Sequence, residues 1–223
     1  FIAVEAGILL GAAVMVMAGT LAAQAQTALK WAHVYETSEP FHTESVWAAE
    51  EIGLCGSRRY AAEHAAEIPA MRGVMNFDMT GDPYGYWTPG HAPSRLLGAL
   101  ADQLAPLGMR RAFDDKAGLH SDHEPFMLEG VPIVGLKAVL PPEVGRYYHG
   151  FGDTFDKVAV APFARAACVG AHTLWALADA PDRPLPHLPP GDVRAMLERA
   201  DLIEALQVAG YRGPAMSAAA TRP

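Results

Sequence analysis

Residues 130–140 read G-V-P-I-V-G-L-K-A-V-L. The nearly unbroken apolar run predicts a strand, with Pro132 near its start. Downstream, 158–179 is long, apolar and free of internal proline apart from Pro162 near its beginning, which predicts a helix. Upstream, 71–79 reads M-R-G-V-M-N-F-D-M and predicts a short strand ending in Asp78, stopped by Gly81-Asp82-Pro83. Helices are expected over 58–68, with Ser57 as N-cap, and over 91–108. Strands alternating with helices of this length imply an α/β fold: a three-layer α/β/α sandwich with a mostly parallel central sheet. Such sheets bind ligands beyond the carboxyl ends of their strands. That is where this reading places Glu50, Glu51, Asp78 and the loop carrying His149.

The remaining segments fill in around this frame. Residues 6–30 read as a helix rich in Ala and Gly. A buried helix is the first reading of its apolar part, 6–23, and a membrane or signal segment the second. A basic n-region is missing, and Ala and Gly make a weak lipid span. Residues 31–45 are irregular, and 46–49 could end a buried strand. Polar loops are expected at 119–126 and 145–154, a Pro-rich linker at 181–190, an amphipathic helix over 191–209 and a frayed end at 213–223. The domain reading is a single partial domain over 1–180, followed by the linker and a helical extension over 181–223.

Composition sets outer bounds. The 223 residues are 51% hydrophobic and 19% charged, ordinary for a folded domain with a sizeable core. Net charge is -8, from 17 Lys+Arg against 25 Asp+Glu, and no basic stripe occurs, so no nucleic-acid partner is expected. Two cysteines, Cys55 and Cys168, form no disulfide framework and are expected to be free.

Several residues could carry chemistry. Two adjacent carboxylates, Glu50 and Glu51, are costly to bury without a cation. One could bind a metal while the other takes a proton from water; alternatively, the pair opens a helix and complements its dipole. Asp78 between Phe77 and Met79 is either a turn cap or a metal ligand. His149, in Y-Y-H-G-F-G-D-T-F-D, could bind zinc with Asp153 or Asp156 fixing its tautomer, or simply face solvent. Ser121-Asp122-His123 is not a hydrolase triad, because three consecutive side chains do not converge on one reacting atom.

Taken together, A-A-E-E-I-G-L-C-G-S-R-R-Y at 48–60, N-F-D-M-T-G at 76–81, S-D-H-E-P-F-M-L-E-G-V-P at 121–132 and Y-H-G-F-G-D-T-F-D-K-V at 148–158 resemble family 28 of the metallopeptidases, the co-catalytic di-zinc aminopeptidases. The resemblance implies a zinc-peptidase-like fold with two zinc ions in the intact family site. It makes Glu50 the general base on a metal-bound water and Tyr148 a polariser of the scissile carbonyl. Glu51, Asp78 and His149 become metal ligands, with Glu51 and His149 on one ion and Asp78 on the other. Asp122, His123, Asp153 and Asp156 are left as supporting or substrate-pocket residues. The implied substrate is a peptide, and a secreted or periplasmic location is favoured over a membrane partner. The family pattern also has an upstream His-x-Asp histidine and a metal-bridging Asp. Neither has a match here: F-I-A-V-E-A-G at 1–7 offers only Glu5, and no His-x-Asp precedes Glu50. A truncation or change of reading frame upstream of about Val46 is therefore expected, with an inactive or badly impaired chain as its consequence.

Overall fold

The computed structural model describes residues 54–148 and 150–217. These fall in the second of the chain's two compact units, residues 33–223. The first unit, 1–32, and the expected elements at 6–30, 31–45 and 46–49 lie outside the described residues.

Among the described residues, four strands form one sheet in the order β1-β4-β2-β3: β1 Val74–Asn76, β2 Asp82–Trp87, β3 Phe113–Asp114 and β4 Ile133–Val139. β1 runs parallel to β4 (Val74 opposite Ile133) and β2 parallel to β3 (Tyr86 opposite Phe113). β2 and β4 are antiparallel, with Tyr86 opposite Leu136. Two of the three pairings are thus parallel, which matches the α/β expectation.

Alternation along the strands sorts side chains onto two faces. Val74, Ile133 and Trp87 point into one core, while Met75, Val134, Leu136 and Tyr86 point into the other. The first core is closed by helices α1 (Cys55–Glu63), α3 (Glu124–Leu128) and α5 (Pro190–Arg199), through Ala61, Phe126, Val193 and Leu197. The second is closed by α2 (Arg95–Gln103) and α4 (Val160–Asp179), through Leu97, Ala101, Ala166 and Val169. Layers on both faces of the sheet explain why β4 is apolar without alternation. Two short helices follow α5: α6 (Ile203–Val208) and α7 (Pro214–Ser217). Leu206 and Ala215 are buried in the first core, so the residues after 180 share that core with the sheet.

Some local expectations shift. The strand expected to end in Asp78 ends at Asn76, and Gly81-Asp82-Pro83 is no simple stop, because β2 begins at Asp82. β3 pairs only with Tyr86 and Trp87, so at Pro83 the strand is locally an edge, and the register slips between Pro83 and Gly85. A proline is tolerated at such a place. Ser57 is not an N-cap; α1 begins at Cys55, and the Ser57 hydroxyl donates back to the Leu54 carbonyl at 3.2 Å. α2 starts late, at Arg95, because Ser94 caps it by accepting from the Leu97 N–H. The expected loop 119–126 gives way to α3 at Glu124, with Pro125 in the first turn where its missing N–H costs nothing. The helix expected over 191–209 is split in two at Asp201, whose left-handed φ of 61° ends the first half.

The Pro-rich stretch is held against the sheet domain. The Leu188 N–H donates to the Gly130 carbonyl at 2.9 Å, Leu185 is buried, and His91 places Nε2 2.8 Å from the Pro186 carbonyl. Cys55 and Cys168 are both free and exposed. Among the described residues no helix is long and apolar enough to cross a membrane.

Candidate functional site

The parallel pair β1–β4 delivers two segments to one end of the sheet. β1 ends at Asn76, and Asp78 follows in a bend that Met79 turns sharply with a left-handed φ of 54°. A non-glycine residue in that region stores strain, and such strain concentrates at functional sites. β4 ends at Val139 and leads into the loop that carries Tyr148. Asp78 is exposed, and among the described residues no hydrogen bond or ion pair engages its carboxylate. Glu50, Glu51 and His149 lie outside the described residues.

Tyr148 follows a 3-10 turn at Val144–Arg146, is 42% exposed and donates its backbone N–H to Val144 O at 2.9 Å. Asp153 is exposed, and its N–H reaches the Gly150 carbonyl at 2.9 Å. Asp156 accepts from Lys157 and from the Thr154 hydroxyl, and those two bonds hold its carboxyl below the usual carboxylate range.

The 118–124 segment is tied to the same end of the sheet. His123 is buried, 4% exposed, with its ring edge-on to Trp87 at 4.8 Å between centroids. Burial keeps its pKa below the usual imidazole range, against the opposing pull of the Gly118 carbonyl and the charges of Glu124, Asp78 and Asp122. The ring is therefore neutral near pH 7. Its Nε2 lies 3.0 Å from the Gly118 carbonyl, which can only accept, so Nε2 carries the proton. Nδ1 is left as an acceptor for the Asn76 amide at 3.3 Å, and the same amide donates to Ser121 Oγ at 2.8 Å. Asp122, by contrast, is exposed. Asn76 was not among the residues singled out from sequence. Its position two residues before Asp78 was the available signal.

A second tie reaches α1, which begins just after the Glu50-Glu51 pair. Buried Glu124 accepts from Arg58 at 2.9 Å through Oε1 and from the His120 N–H at 2.9 Å through Oε2. The Arg58 side chain is 49% exposed and that of Glu124 only 5%. Removing the exposed partner strands the buried charge, whereas the reverse change leaves Arg58 to water. Arg58→Met is thus expected to cost about 2 kcal/mol, below a fully buried pair because of solvent screening. Glu124→Gln, which keeps an acceptor for His120, should cost less than half as much. Urea denaturation of both variants checks the order; an equal loss would mean that the buried carboxylate does not depend on Arg58.

The described donors are carboxylates and imidazoles, the oxygen and nitrogen types that zinc accepts. Among the described residues, however, no group of three His, Cys, Asp or Glu side chains is placed to hold a metal ion. Asp78 is the one expected ligand whose side chain is described.

The model of peptidase family M28 matches residues 12–173, reaching further upstream than the motifs quoted above. Leupeptin-inactivating enzyme 1 of Streptomyces exfoliatus is 30% identical over 149 residues, 59% of this chain and 34% of that protein. The probable lipoprotein aminopeptidase LpqL of Mycobacterium tuberculosis is 34% identical over 109 residues, 40% of this chain and 21% of that protein. The matches thus span about a third of the first relative's length and a fifth of the second's. With a family match that runs through both sheet-end segments and most of the chain, this protein belongs to peptidase family M28.

Proposed function

We propose that the chain carries the site of a zinc-dependent exopeptidase, an aminopeptidase that hydrolyses the N-terminal bond of a peptide. The observation behind this reading is that Asp78 and the loop carrying Tyr148 each follow the carboxyl end of one strand of a parallel pair, within the span that matches the family. Glu51 and His149 are the donors to one zinc, and Asp78 is the donor to the second ion of the intact family pair. Zinc, when bound, supplies Lewis acidity and makes water nucleophilic at neutral pH. Glu50 accepts the proton of the attacking water and later passes it to the leaving amine. The Tyr148 hydroxyl donates to the scissile carbonyl oxygen as charge develops there. Asp122 and His123 line or support the site beside Asp78, and Asp153 and Asp156 do so in the His149 loop. The two relatives, a leupeptin-inactivating enzyme and a probable lipoprotein aminopeptidase, support peptide substrates and a secreted or periplasmic location.

The unmatched His-x-Asp histidine and bridging Asp predict slow turnover for this chain, because a metal pair without its bridging carboxylate loses charge neutralisation and spacing. They equally favour a second reading, a peptide-binding domain without catalysis on the same fold. Hydrolysis of an aminoacyl-4-nitroanilide decides between them. The exopeptidase reading expects slow release of nitroaniline that a chelator stops, zinc restores, and an added upstream segment bearing the two missing ligands accelerates. No release under any of these conditions, with peptide binding retained, would establish the second reading.

A further inference from the structure

Register lines up one residue from each of β1 to β4: Asp114 opposite Trp87, Trp87 opposite Gly135, and Gly135 opposite Asn76. Residues opposite one another share a face of the sheet. This row lies on the face of the first core, near the carboxyl ends of β1 and β4. A Cβ at Gly135 would meet Trp87 Cε3 at 2.8 Å, so the indole lies against that glycine, with the His123 ring as another neighbour. Two residues beyond Gly135, on the same face, stands Lys137; two residues beyond Asn76 comes Asp78. An ammonium and the bend that carries Asp78 thus share one end of the sheet.

Lys137 is opposite Gly85, which presents no side chain, and its ammonium reaches across β2 to donate to Asp114 Oδ2 at 2.7 Å. Asp114 Oδ1 accepts from the Lys116 N–H at 3.1 Å. These two bonds, that of Lys137 foremost, hold the Asp114 carboxyl below the usual carboxylate range, so it is ionised at neutral pH. The fold has little use for the pair. With side chains 23% and 41% exposed it adds little stability, and an apolar residue suits a central strand as well. An ammonium has three N–H donors, of which Asp114 takes one. Both oxygens of Asp114 are engaged, so an incoming ligand meets the ammonium, and a carboxylate makes the strongest bond with it.

We propose that Lys137 is a specificity-determining residue, held in place by Asp114 to receive a carboxylate of the bound peptide. The inference rests on the reading above that a peptide occupies this end of the sheet. The first side chain and the peptide's C-terminus both supply that chemistry.

The test is calorimetric titration of the full chain with two isosteric pairs of peptides: Glu-Ala-Ala amide against Gln-Ala-Ala amide, and Leu-Ala against Leu-Ala amide. In at least one pair the carboxylate form should bind about tenfold tighter than the amide, the low end for a hydrogen bond to a charged group. The pair that shows the preference identifies the source of the carboxylate. Lys137→Met should make the two forms of that pair bind equally, while Lys137→Arg, which keeps the charge, should retain the preference. The wild-type comparison and Lys137→Arg stand on their own where Lys137→Met folds poorly. Equal binding within both pairs in the wild type, or a preference that survives in a folded Lys137→Met, overturns the role of Lys137 and leaves the peptide-site reading intact. No binding of any of these peptides overturns both together.

Discussion

Glu50→Gln should lower nitroanilide hydrolysis by about 10²–10⁴-fold, the usual contribution of a positioned general base, and leave zinc binding unchanged. The neighbouring change, Glu51→Gln, should do the opposite first: the metal is lost, and turnover falls because of it. The two side chains are adjacent and chemically identical, so composition alone cannot separate them. Roles can. A carboxylate that accepts a proton from water needs its basicity, and the amide of Gln has none to offer. A carboxylate that ligates zinc needs its charge, and its removal should weaken binding by more than the 10–100-fold typical of a residue that merely supports a ligand. Steady-state kinetics at saturating zinc, set beside dialysis of both variants, measures the two effects independently. If Glu50→Gln turns over like the wild type, Glu50 is not the base. If both variants lose metal equally, the pair acts as one acidic patch and the division of labour fails.

The parts of this molecule legible from sequence are those where one local signal suffices. β4 announces itself by a β-branched run, because burial on both faces removes the need for polar residues. α4 does so by length, twenty residues without a proline beyond its first turn. Asp78 was placed at a strand end by the charge that interrupts an apolar run, and the bend after β1 is where it lies. The illegible parts depend on partners far along the chain. Asn76 meets His123 across 47 residues, and Arg58 meets Glu124 across 66, with no local pattern to mark either pair. β2 was hidden for a different reason. Its opening Asp82-Pro83 is ordinary turn chemistry, and only a strand that is locally unpaired on one side can begin that way.

Site and scaffold meet at the 118–124 segment. It fastens the end of β1 through Asn76 and the start of α1 through Arg58, so the Asp78 bend and the helix that follows the glutamate pair share one anchor. That anchor leads directly into α3, and the stop of α3 is in turn fixed by a single residue, Gly130. A change there should be felt as loss of stability well before it is felt as loss of chemistry.

Gly130→Ala is expected to be the most damaging of the stability variants, at about 2–5 kcal/mol, and two separable causes add to give it. Gly130 comes directly after Glu129, the C-cap of α3, with a φ of 80°, the left-handed region. Its N–H bonds to Met127 O at 3.0 Å, and the next N–H, of Val131, bonds to Phe126 O at 3.0 Å. This is the paired closure that satisfies the last carbonyls of a helix and favours glycine. A Cβ in that conformation costs about 1–2 kcal/mol on backbone grounds. The same Cβ would also come within 2.1 Å of the Leu188 carbonyl oxygen, and backbone cannot step aside as a flexible side chain can. Moving Leu188 would break its N–H bond to Gly130 O and loosen the Pro-rich stretch from the sheet domain. Gly210 supplies the control. It closes α6 in the same way, through its own N–H to Gln207 O and the Tyr211 N–H to Leu206 O, at a φ of 77°. Nothing lies within 4 Å of a Cβ built there. Gly210→Ala therefore incurs the backbone cost alone, and the gap between the two variants isolates the clash. At about 2–4 °C of Tm per kcal/mol for a chain of this size, Gly210→Ala should melt a few degrees below wild type and Gly130→Ala on the order of 10 °C below. Equal shifts would mean that the Pro-rich stretch yields without cost and is not part of what holds the core together.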